Sequence, residues 1–87
     1  MSASRINLHD KVVNITRSYL GPAAERFIDR QIENHLHKTP VNLTAKDLLK
    51  LITWIRLAVS MLTEDAIIVD EYVKQLEKLA KKSQADK

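Results

Sequence analysis

Eighty-seven residues, 45% apolar and 29% charged, describe one domain with a single core, a length that buries roughly 60–65% of the unfolded surface and leaves little margin. The absence of cysteine excludes disulfide scaffolds, thiol catalysis and thiolate zinc sites. The net charge of +3 is spread along the chain, with six basic against four acidic residues in 1–38, three against three in 39–68 and five against four in 69–87, so no segment carries a strong phosphate-attracting field.

The first predicted helix spans about 8–20. Asn7 is placed to cap it, Asp10 sits near the positive end of its dipole, and Leu8, Val12, Ile15 and Tyr19 share one face at 4-3-4 spacing. Gly21 is the expected stop, and Pro22 suits the first position of a second helix over about 22–37. The apolar arc of that helix is Ala24, Phe27, Ile28, Ile32 and Leu36, with Phe27 a candidate core anchor. Pro40 disfavours helix at Thr39, which makes KTPVNL a loop.

The third helix, about 45–62, has the clearest start. Thr44 with Asp47 approximates a capping box, and Leu43 and Leu48 occupy the staple positions around it. Leu48, Leu51, Ile52, Ile55, Ala58, Val59 and Leu62 form its core arc, and Trp54, Leu57 and Met61 widen that arc past a half-circle. The fourth helix, about 64–82, is expected to start at Thr63 ahead of two acids. Its stripe is Ala66, Val69, Tyr72, Val73, Leu76, Leu79 and Ala80, and Asp70–Lys74 and Glu77–Lys81 stand as i,i+4 pairs on the opposite face. Short connections between these segments predict an all-α, antiparallel four-helix bundle forming one domain over 1–87, with about 1–6 and 83–87 flexible.

The excess apolar surface of the third helix has two readings: a central helix covered by the other three, or a face that Trp54, Leu57 and Met61 lend to a second copy of the chain or to another protein. The second reading is favoured, because a small domain gains core by self-association. Gln31 and His35 are polar residues inside the second helix's apolar arc, either boundary groups or a polar, pH-sensitive contact point.

Metal binding is disfavoured, since Glu33 and His37 share a face while His35 points elsewhere and no HExxH spacing occurs. With one glycine the chain has no P-loop or dinucleotide fingerprint, no nucleophile elbow appears, and neither enzyme activity nor a cofactor is expected. Nucleic acid is the alternative partner. The Leu20-Gly21-Pro22 corner has a helix-turn-helix look and exposes Arg26 and Arg30, but Glu25, Asp29 and Glu33 alternate with them. The long apolar run contains Lys50 and Arg56 and is too short to span a bilayer, and the first ten residues lack a secretory core. A cytoplasmic location is the expectation.

Leu20-Gly21-Pro22-Ala23-Ala24, together with the Leu43-Thr44…Asp47-Leu48 helix start, resembles small helical modules appended to bacterial signalling and regulatory proteins. The resemblance covers about half the chain and rests on structural punctuation. It implies a regulatory adaptor and no particular functional residue.

Overall fold

The computed structural model describes residues 7–85, and every regular element among them is helical, as the all-α reading expects. Helix α1 runs Leu8–Leu20 and is followed by a 3-10 turn, Gly21–Ala23. Helix α2 is Ala24–Leu36, a second 3-10 turn is Pro40–Asn42, and α3 (Ala45–Ser60) and α4 (Ala66–Ala85) complete the order. Of the ends expected to be flexible, residues 1–6 and 86–87 lie outside the described residues, while Ser83–Ala85 continue α4.

Local chemistry accounts for these boundaries. The Asn7 side chain accepts the Asp10 backbone N–H at 2.8 Å, and Gly21, at φ 66, donates its N–H to the Arg17 carbonyl to end α1. At α3 the capping box is complete: Thr44 Oγ1 accepts the Asp47 N–H, and an Asp47 carboxylate oxygen accepts the Thr44 N–H. The same carboxylate oxygen takes a 2.5 Å hydrogen bond from Lys38. Burial alone would raise the Asp47 pKa, but the Lys38 and Thr44 bonds outweigh it and hold the carboxyl below its ordinary value.

Besides the longer C-terminal end of α4, three boundaries differ from the sequence reading by two residues. Pro22 opens a 3-10 turn, not the α-helix, and α2 begins at Ala24, whose N–H bonds the Gly21 carbonyl. Helix α3 stops at Ser60, two residues early, so Leu62 loses its helical phase and is 63% exposed instead of joining the core. Helix α4 begins at Ala66 because Asp65, not Thr63, does the capping. Its Oδ1 accepts the N–H groups of Ile67 and Ile68, while Thr63 bonds only the Asp65 N–H. Ala66, placed in the core stripe by the sequence, is consequently exposed.

Each helix packs on its neighbours in the chain, α3 and α4 most extensively, and α4 closes back onto α1. The body measures 41 × 24 × 23 Å. Because α1 touches both α2 and α4, its buried arc centres on Val12 and Thr16, with His9 and Val13 beside them. The expected Leu8, Ile15 and Tyr19 form its half-buried flank.

Polar groups tie the layers together. The Thr16 hydroxyl donates to the Val12 carbonyl at 2.8 Å and lies 2.6 Å from the Tyr72 hydroxyl, which therefore donates to it. Gln75 donates to the Tyr19 hydroxyl, and His9 Nε2 donates to Asp29 at 2.6 Å. Asp70 meets Arg56 of α3 at 2.9 Å across the α3–α4 interface. Neither of the expected i,i+4 pairs on α4 forms among the described residues.

Candidate functional site

Helix α3 separates its apolar residues into two sets. Leu48, Leu51, Ile52, Ile55 and Val59 are buried. Trp54 is 46% exposed, Leu57 55% and Met61 86%, so these three side chains lie outside the core. Their i, i+3, i+7 spacing lines them up along one helical face. Lys50, four residues before Trp54, continues that line, as does Lys46 a turn earlier; both are exposed.

The face borders α2. The His35 ring stacks on the Trp54 ring, with centroids 4.2 Å apart and planes 6° from parallel. The two residues that the sequence separated into an interface group and a polar pair thus form one contact. His35 itself is exposed, not set inside the core arc of α2, while Gln31 one turn earlier is half-buried. Stacking gives the indole a defined orientation at the protein surface.

Farther along α2, Phe27 is half-buried and packs against the core, short of the full burial expected of an anchor. It lines an open concavity of about 310 Å³ with Ala23, Arg26 and Arg30. Phe27, Gln31 and His35 recur every fourth residue, so the recessed Phe27 lies on the same flank of α2 as the His35–Trp54 stack. Trp54, Leu57 and Met61 thus form an exposed apolar line on α3 that Lys50 and Lys46 continue, while Phe27 faces its own concavity on α2.

Charge beside this face is mixed. Arg26 and Arg30 are exposed and make no ion pair among the described residues. Glu25, Asp29 and Glu33 share the outer surface of α2 with them, and Asp29 also holds His9. The one acid of α3, Asp47, is committed to Lys38 and to the capping box. Arg56, the other basic residue of α3, points to the opposite side and engages Asp70.

The sequence reading did not single out Ile67 and Ile68, which are 71% and 40% exposed. The run Ala66-Ile67-Ile68-Val69 is broader than one stripe needs, and that was the available signal. A concavity of about 730 Å³ lies on the outer surface of α2 between Pro22 and Glu33 and mixes Glu25, Asp29 and Glu33 with Arg26 and Arg30. All its lining comes from one helix and the turn before it, so no opposing wall exists to enclose a small molecule. No protein-family model matches this chain, and neither a curated protein nor a solved structure matches it at a significant level.

Proposed function

We propose that this chain is a non-enzymatic protein–protein interaction module of regulatory type, and that Trp54, Leu57 and Met61 are the centre of its docking face. The carrying observation is that three large apolar side chains stand in line on the solvent side of a helix whose core arc is already complete without them. Scattered exposed apolar residues need no explanation, but an aligned set with an ordered tryptophan is what an interface supplies. The ring of helix contacts agrees with an antiparallel four-helix bundle as the scaffold. No helix among the described residues is long and apolar enough to cross a membrane, and a cytoplasmic setting is part of the proposal.

Self-association and capture of a different protein would use the same face. The test is Leu57→Asp, read by sedimentation over a concentration series and by partner capture, with far-UV circular dichroism as the folding control. Loss of association with helix content retained supports the proposal. Loss of the fold, or a wild-type chain that stays monomeric and binds no protein ligand, refutes it. Nucleic acid is the weaker reading, because Glu25, Asp29 and Glu33 stand on the same outer surface as Arg26 and Arg30.

A further inference from the structure

We infer that the occupant of the docking face is a second copy of this chain, its α3 laid antiparallel on the first. The pairing rests on the docking face just proposed and names its partner. Lys46, Lys50, Trp54, Leu57 and Met61 follow one another at steps of four, four, three and four residues, and all five are exposed. They make one line along α3, about 22 Å long at 1.5 Å per residue. The two ends of that line differ in chemistry. Lys46 and Lys50 give the N-terminal end two cations, neither in an ion pair among the described residues. Leu57 and Met61 give the C-terminal end an apolar surface, with Leu62 exposed just beyond it. That end is also the negative pole of the helix. Helix α3 has no basic residue in its last turn, and Glu64 follows in the connection to α4, exposed and outside any ion pair among the described residues.

A line with one basic end and one apolar, acidic end complements itself only when reversed. About a two-fold axis passing between Thr53 and Trp54, Lys46 meets the partner's Met61 and Glu64, and Lys50 meets the partner's Leu57. The lysine stems then cover the apolar side chains, while their ammonium groups reach the Glu64 carboxylate and the carbonyls at the end of the helix. A parallel pairing sets Lys46 on Lys46 and Lys50 on Lys50, which repel. Trp54 lies beside the axis, and its stack on His35 orients the ring before contact. One helix pair of this length is a small contact, in the class below about 1,200 Å² of total buried area, so the dimer dissociates on dilution.

The chain has no cysteine, so a single introduced thiol reads the geometry directly. Thr53→Cys, exposed and beside the axis, is expected to give a covalent dimer with a short bismaleimide. Lys46→Cys is not, because its two copies stand about 22 Å apart along an antiparallel pair. Sedimentation at low salt over a concentration series reads the charges, with far-UV circular dichroism as the folding control. Lys46→Glu and Glu64→Lys, both at exposed positions, are each expected to weaken self-association about tenfold. The double variant Lys46→Glu/Glu64→Lys, and an equimolar mixture of the two single variants, should regain the wild-type association, since each restores opposite charges at both ends. Cross-linking of Lys46→Cys as fast as Thr53→Cys, or single variants that associate like the wild type, would overturn the inference. So would a double variant and a mixture that stay as weak as the single variants. A wild-type chain that remains monomeric at every concentration overturns it too. In that case a protein ligand whose binding Leu57→Asp abolishes leaves the docking face standing, and the lack of any such ligand removes both.

Discussion

Thr16 and Tyr72 show how one hydrogen's direction decides what a substitution does. Both side chains are fully buried, on α1 and α4, and the ring of Tyr72 lies 5.0 Å from that of Tyr19. Burial pushes the Tyr72 phenol up to about 12, against a smaller opposing effect of the Thr16 bond, so the group stays protonated and acts as a donor. Tyr72→Phe removes that donor and leaves Thr16 with its own bond to Val12, a loss of about 0.5–1.5 kcal/mol. Thr16→Val strands the phenol O–H in the core and should lose about 1–3 kcal/mol. Urea titrations are expected to rank Thr16→Val below Tyr72→Phe in stability, with the double variant less destabilised than the two changes summed. Additive losses, or the reverse ranking, would show that Tyr72 finds another acceptor. Hydrophobic patterning missed Thr16 because it counts a hydroxyl as surface, and the group that satisfies this one lies 56 residues away in sequence.

At the level of the element, the caps were the most legible part of the sequence. Asn7 and Thr44 act on neighbours three residues on, so spacing alone identifies them. Asp65 was misjudged because Thr63, Glu64 and Asp65 all have capping chemistry, and the turn after α3 decides which one meets the first free N–H groups. The Asp70–Lys74 pair failed for a related reason: Arg56 approaches from another helix, and an exposed i,i+4 pair is too weak, at about 0.3–0.5 kcal/mol, to compete. Helix ends also carry the backbone strain. Gly21 adopts φ 66 and ψ −144, a region L side chains avoid, and a Cβ added there meets nothing within 4 Å. Gly21→Ala should therefore cost about 1–3 kcal/mol from backbone conformation alone. His37, at φ 54 and ψ 43, is left-handed without being glycine. His37→Gly should stabilise by about 0.5–1 kcal/mol, raising Tm by roughly 3–6 °C. Thermal melts of the two variants, moving in opposite directions, check both; a stabilised Gly21→Ala would contradict the backbone account.

Across the whole molecule, periodicity gave the all-helical class and most of the buried residues of α2, α3 and α4, since each has one principal apolar stripe. It could not decide where Trp54, Leu57 and Met61 end up, because that depends on which sides of α3 its neighbours leave open. The answer lies in how the ring closes: α3 meets α2 and α4, its broadest packing is on α4, and the line through Trp54 is left outside. The His35–Trp54 stack was hidden in the same way, since the two rings meet only after α2 and α3 pack. Ring closure also makes stability a collective property. Helix α4 covers α3 along its length, supplies Tyr72 to Thr16 and Gln75 to Tyr19, and is the element that joins the last part of the chain to the first. A chain ending at residue 63 would keep α1–α3 but uncover the largest helix interface and leave the Thr16 side of α1 open to solvent. Chains of this length fold when their core is closed, but here the α3 surface and the Thr16 side of α1 that α4 buries would face water, which removes much of the core. Far-UV circular dichroism of that truncated chain should show most helix lost and no cooperative melt, whereas the full chain melts in one transition followed equally by helix signal and Trp54 fluorescence. A truncated chain that stays helical and melts cooperatively would mean that α1–α3 form the folding unit, with α4 an addition to it.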